Sequence, residues 1–173
     1  MNVTIRPMTV DDAPRVGELH VRAWQAAYRG VMPDAYLEGL RAEERAEMWR
    51  AAVEADRADV GLDVIEADEQ IAGFACYGPQ HGGDDPSTGE LVAINLDPDH
   101  WRLGLRRQLI RHVTSELGRM AYRRAVLWVV RENDRARRFY EAEGWSYDAG
   151  SDRTDTVQDA TVDEVRYSRD LLA

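Results

Sequence analysis

The sequence predicts a mixed α/β domain spanning residues 1–173, and three observations carry that prediction. Runs with a period of two alternate with runs of helical period, in the order strand, three helical pieces, three strands, helix, strand, helix, strand. A strand over 90–96, a tight turn, a helix over 105–121 and a strand over 125–130 together make a right-handed crossover. A length of 173 residues, 44% of them hydrophobic, suits one sizeable core. No apolar run approaches the roughly 20 residues of a membrane span.

Each element follows from its residues. Val3 and Ile5 open a strand that Pro7 ends. Asp11 or Asp12 caps a helix that places Val16, Leu19, His20, Ala23 and Trp24 at helical spacing. Gly30 and Pro33 break it, Asp34 starts a second piece with Tyr36, Leu37 and Leu40, and a third runs over 42–55 with Met48 and Trp49 on one face. Strands at 64–65 and 71–77 meet at the acidic turn Asp68–Glu69, and the glycine-containing stretch 79–89 is a loop. Leu105, Leu109, Val113, Leu117 and Met120 define the long amphipathic helix. The apolar run 125–130 reads as a buried strand, and Asn133 or Asp134 caps a last helix stopped by Gly144. A final strand over 162–167 follows the polar stretch 150–160.

Composition excludes several classes of function. The single cysteine, Cys76, rules out an internal disulfide and a cysteine-cluster zinc site. The four histidines lack ligand spacing, so no metal is expected. The N-terminus lacks the apolar segment of a signal peptide, and the expectation is a soluble cytoplasmic protein without a membrane partner. A net charge of −10 argues against polyanionic partners if it is uniform, but it is not. All 22 basic residues are arginine, and 11 of them fall within 102–138 beside three acids. That segment carries +8 and the remainder −18. Without an aromatic and basic stacking pattern, the arginines do not indicate nucleic acid.

The chemistry concentrates in Trp101-Arg-Leu-Gly-Leu-Arg-Arg107, where the long helix begins. Helix N-termini bind anions through amides that lack partners. Arginine in a first turn opposes the helix dipole by about 0.3–1 kcal/mol each at exposed sites. Three of them therefore favour a phosphate-binding turn, with a solvated, arginine-rich turn as the alternative.

The chain resembles the GNAT superfamily of acyl-CoA-dependent N-acetyltransferases over nearly its whole length. The resemblance rests on this turn, on the block Asn133-Asp-Arg-Ala-Arg-Arg-Phe-Tyr-Glu-Ala-Glu-Gly-Trp145, and on His20-Val-Arg-Ala-Trp-Gln-Ala-Ala-Tyr-Arg-Gly30. Gly104 matches the first glycine of the family's pyrophosphate motif. Trp101 stands in place of Gln or Arg, and Arg106 in place of Gly or Ala.

The resemblance implies a twisted, mostly antiparallel sheet of about six or seven strands, flanked by about four helices and open in a V between the fourth and fifth strands. It implies acetyl-CoA as donor, held by Ile94, Asn95 and Leu96 on one strand. The turn Arg102, Leu103, Gly104, Leu105, Arg106 and Arg107 takes the pyrophosphate, and Asn133, Ala136 and Phe139 line the other side. The Arg106 guanidinium is expected to swing onto the phosphates, joining Arg102 and Arg107.

It further implies direct attack of a primary amine on the thioester, with Tyr140 as the acid for the departing sulfur and Glu90 as a candidate base. His20 and His81 are the fallback bases. Trp24, Tyr28 and Tyr77 are expected to wall the side of the acceptor, a small-molecule or peptide amine, and a homodimer is consistent with the family. A non-catalytic acyl-CoA-binding module is the alternative, because Trp101 and Arg106 depart from the motif.

Overall fold

The computed structural model describes residues 1–157 and 160–171. The chain runs β1 (Val3–Pro7), α1 (Ala13–Tyr28), α2 (Asp34–Gly39), α3 (Ala42–Glu54), β2 (Gly61–Ala67), β3 (Gln70–Pro79) and β4 (Thr88–Leu96). It continues with α4 (Leu105–Arg119), β5 (Arg124–Val130), α5 (Asp134–Ala142), β6 (Ser146–Tyr147), β7 (Arg153–Val157) and β8 (Ala160–Asp170). Short 3-10 turns at Val10–Asp12 and Pro98–His100 precede α1 and α4.

One eight-stranded sheet runs β1-β2-β3-β4-β5-β8-β6, with β7 also paired to β8. Every pairing is antiparallel except β4 with β5. The sheet therefore has more strands than expected. Beyond the final strand, β6 and β7 fall in a polar segment whose exposed residues show no alternation, and they pair to the outer edge of β8.

Two apolar layers clamp the sheet. On one face α4 buries Leu105, Leu109, Val113 and Leu117 completely against Ile65, Ala75, Leu91 and Leu127. Each such side chain contributes about 1.5–3 kcal/mol. On the other face Val16 and Leu19 of α1 and Trp49 of α3 pack on Val64 and Phe74. Met48, expected beside Trp49, is 41% exposed. A smaller cluster of Met32, Leu37, Val130 and Val162 joins the end of α1 and α2 to β5 and β8.

The parallel ladder between β4 and β5 is short. It holds from Thr88 opposite Arg124 to Leu91 opposite Leu127 and then stops. Past that point β4 pairs only with β3, and β5 only with β8 as far as Val130. The cause is local: Tyr77 faces Leu91 but Cys76 faces Ala93, which leaves Val92 as an extra residue. Such a bulge bends its strand and increases the twist. The two strands part there, and the carbonyls and amides of 92–96 on that edge lose their neighbour.

The exit of β4 is held firmly. Asp97 is fully buried and accepts hydrogen bonds from Arg15 (2.6 Å), Arg22 (3.0 Å) and the amide of Asp99 (3.0 Å). Two arginines of α1 are thereby tied to the end of the strand, and the turn leading into α4 cannot drift from the sheet.

Candidate active site

The turn between β4 and α4 takes its shape from two left-handed residues, Arg102 (φ 65°) and Gly104 (φ 78°). Gly104 is the N-cap of α4 and has no side chain to occupy the amides that follow. A Cβ at Gly104 would meet nothing within 4 Å, so backbone conformation and not crowding selects glycine here. A fifteen-residue helix thus presents an uncapped N-terminus at the mouth of the parted strands.

Trp101 explains its departure from the motif. Its indole N–H donates to the Leu96 carbonyl (3.1 Å), and the Arg135 guanidinium lies 4.3 Å from its ring centre. The indole ties the turn to the end of β4 and seats a cation from α5 at the same mouth. Nothing in the sequence pattern singled out Arg135. Arg107 is placed differently from expectation. Its side chain donates to Glu143 (2.6 Å), which also accepts from Arg111 (2.9 Å), so it clips α4 to the end of α5. Among the described residues, Arg102 and Arg135 have no ion-pair partner.

The opening has two compartments. The first, about 510 Å³, lies between Ile94–Leu96, the turn residues Trp101, Arg102 and Gly104–Arg107, and Asn133, Arg135, Ala136 and Phe139 of the facing helix. Ala23, Ala26 and Ala27 of α1 also line it, small residues that leave room and to which sequence reasoning gave no site role. Leu103 is 48% exposed and is not among its lining residues. Asn133 caps α5, accepting from the Ala136 amide (3.1 Å).

The second compartment, about 360 Å³, is aromatic. Trp24, Tyr28, Trp49, Trp128 and Tyr140 line it with His20, Arg45 and Glu164. Tyr28, Ile94, Asn95, Arg106, Asn133 and Ala136 belong to both compartments, which therefore join. Burial, with the neighbouring Tyr140 next in effect, pushes the Tyr28 hydroxyl up to about 12. His20 is buried, and its Nδ1 accepts the Trp49 indole N–H (3.0 Å). Desolvation, and secondarily Arg45, brings its pKa down to about 4. A neutral ring that accepts at Nδ1 carries its proton on Nε2, so the acceptor nitrogen of His20 is already used by Trp49.

Tyr140 lines the aromatic compartment beside the shared residue Arg106, 5% exposed and packed edge-on against Phe139 and Trp145. Its hydroxyl oxygen accepts from Arg106 Nη2 at 3.0 Å. The Arg106 guanidinium carbon lies 4.7 Å from the centre of the Phe139 ring, so the side chain turns inward and not out to the mouth as expected.

Two further expectations change. Tyr77 does not wall the acceptor side. Strand alternation sends its ring to the face covered by α4, where its hydroxyl donates to Asp63 (2.6 Å), an acceptor shared with His112 Nε2 (2.8 Å). Glu90 lines neither compartment. Its carboxylate accepts the His81 amide (2.8 Å) and faces His81 Nδ1 (3.2 Å). Cys76 packs against the α1/α3 layer, and burial raises its thiol to about 11.

The family model for the Acetyltransferase (GNAT) family matches residues 13–145. The chain belongs to the GNAT acetyltransferase family. The GNAT fold is an acyltransferase fold, and sequence relatives are named N-acetyltransferases. An uncharacterized N-acetyltransferase, YuaI of Bacillus subtilis, is 28% identical over 132 residues, covering 76% of this chain and 73% of that protein. A probable N-acetyltransferase, Rv2775 of Mycobacterium tuberculosis, is 21% identical over 96% of this chain and 92% of its own length.

Solved structures share the GNAT fold. PaiA N-acetyltransferase from Thermoplasma acidophilum, in complex with coenzyme A, has a TM-score of 0.74 and 20% identity, covering 95% of this chain and 98% of its own. YncA from Salmonella typhimurium, a putative acetyltransferase with its cofactor acetyl-CoA, has a TM-score of 0.75 and 19% identity, covering 100% and 96%. Among the described residues no group of acids, histidines or cysteine is arranged to hold a metal ion, and no helix is long and apolar enough to cross a membrane.

Proposed function

We propose that this GNAT protein transfers the acetyl group of acetyl-CoA to a primary amine by direct attack within a ternary complex. The observation that carries the reading is the parting of β4 from β5 beyond Leu91 and Leu127, with the uncapped N-terminus of α4 at the same end. Unpaired strand edge suits the amide groups of a pantetheine arm. Free helix amides suit a pyrophosphate. The coenzyme A and acetyl-CoA bound by PaiA and YncA support that choice of donor.

In this reading Ile94, Asn95 and Leu96 pair with the pantetheine, while the amides of Leu103 to Arg107, with Arg102 and Arg135, take the phosphates. Asn133, Ala136 and Phe139 close the other side. The aromatic compartment receives the amine, with Trp24 and Tyr28 against it. The amine nitrogen attacks the thioester carbonyl carbon, the carbon–sulfur bond breaks, and its electron pair leaves on sulfur. Tyr140, hydrogen-bonded to Arg106 where the compartments meet, donates a proton to that sulfur.

Loss of the amine's own proton is assigned to solvent before binding. Glu164 is the acid that lines the aromatic compartment, and it is already paired with Arg153 (2.7 Å). Glu90 is held by His81. Acceptor kcat/KM then rises with pH until the amine itself is deprotonated.

The test is acetyl-CoA binding followed by release of free CoA thiol over a panel of small amines, amino acids and peptides. Turnover with any of them supports the reading. Binding without turnover on the whole panel favours a non-catalytic acyl-CoA module, and no binding removes the donor assignment.

A further inference from the structure

Arg106 departs most from the family pattern, standing where Gly or Ala is usual, and the structure gives it an unusual position. It lines both compartments where they meet. Its guanidinium is stacked 4.7 Å from the Phe139 ring centre and 5.3 Å from that of Tyr140, while Nη2 donates to the Tyr140 hydroxyl. Its Nε is buried with no hydrogen-bond partner among the described residues, and no carboxylate there forms an ion pair with it. A permanently charged group held partly out of water, without a counter-ion and with a donor unused, is a site for negative charge.

The position of that site in the cleft says which charge. In the proposed acetyl transfer, acetyl-CoA enters past α4 with its thioester at the junction, and the inference rests on that reading. Negative charge develops there on the carbonyl oxygen and then on the sulfur. We propose that Arg106 is a leaving-group residue: it fixes the Tyr140 hydroxyl and sets a permanent cation beside the departing sulfur. Arginine has no acceptor, so the phenol oxygen must accept and the phenolic proton stays free to point into the cleft.

The step balances. The amine forms a C–N bond, the C–S bond breaks, and the pair resides on sulfur. Tyr140 gives sulfur its proton and regains one from the new N-acetylated nitrogen through solvent. Arg106 is unchanged throughout. The small residue usual at this position leaves such a function to the tyrosine alone, and here a cation joins it.

The experiment compares wild type with Arg106→Gln, Arg106→Lys and Arg106→Ala in two measurements. The first needs no acceptor: the thiol of bound CoA is titrated by its thiolate absorbance in the ultraviolet. Wild type should hold roughly 10–100-fold more thiolate at a given pH than Arg106→Gln, with Arg106→Lys between them. The second is steady-state kinetics on an acceptor from the panel. Arg106→Gln should lower kcat by on the order of 10–100-fold while the KM for acetyl-CoA stays within about threefold, and added guanidinium should restore part of the kcat of Arg106→Ala.

Unchanged thiol ionisation would overturn the proposal while leaving the donor reading intact. A loss confined to acetyl-CoA affinity would assign Arg106 to the phosphates, and one confined to the acceptor KM would assign it to the amine substrate. Either outcome overturns the proposal. Failure of the wild type to bind CoA would overturn both it and the reading beneath it.

Discussion

The two compartments of the cleft are built from different materials. The donor compartment is mostly main chain: an unpaired stretch of β4, a turn with two left-handed residues and the bare N-terminus of α4. The second compartment adds aromatic side chains from α1, α3, β5 and α5 to the parted edges of β4 and β5. Backbone geometry is common to every member of a fold, whereas a box of side chains belongs to one sequence. The contrast implies a shared donor and an individual acceptor.

Substitutions on either side should separate the two compartments. Gly104→Glu forces a side chain into a left-handed position and places a carboxylate where phosphate would bind. Acetyl-CoA affinity should fall by more than about 100-fold with the circular dichroism spectrum unchanged. A variant that still binds normally would break the donor assignment.

Burial keeps His20 of the aromatic compartment neutral, and the consequence for stability has a sign. Its pKa is about 4 in the folded protein against 6.5 unfolded, so the unfolded chain takes up the proton first as pH falls. This contribution is complete above 6.5 and drains away between 6.5 and 4, in all about 3 kcal/mol. Chemical denaturation across that window should show the slope, and His20→Gln should flatten it.

Tyr140→Phe removes the hydroxyl that Arg106 holds. It should lower kcat by about 10–100-fold and leave acetyl-CoA binding nearly intact, which a binding titration and turnover on one acceptor would show. The smallest effect belongs to Trp24→Ala, expected to raise the acceptor KM by about tenfold without changing donor affinity. A change in donor affinity instead would mean the compartments are not separable.

The same contrast decided what could be read from sequence. The donor turn was legible because Trp101 to Arg107 are contiguous and each residue type has a meaning at a helix start. Asn133 and Tyr140 were legible because the contiguous block Asn133–Trp145 resembles one of the GNAT family. Of the acceptor box, Trp24, Tyr28 and Tyr140 were legible but Trp128 and Glu164 were not, since residues as far apart as His20 and Glu164, 144 positions, are brought to one compartment only by the fold.

Tyr77 was misplaced because alternation tells which residues of β3 share a face but not which helix covers it. The parting of the strands hangs on a bulge at Val92, which no residue type announces. Strands β6 and β7 escaped because edge strands facing solvent need no apolar period. The inward turn of Arg106 follows from Phe139, thirty-three residues on, and has no local signal.

The central claim is that acyl-CoA lies along the open edge of β4 and against the start of α4. Amide hydrogen exchange with and without acetyl-CoA tests it most directly. The account predicts slowed exchange at Ile94–Leu96 and Leu103–Arg107 on adding acetyl-CoA, with little change in α3. Unchanged exchange in both segments at saturating acetyl-CoA, or protection confined to another face, would contradict it.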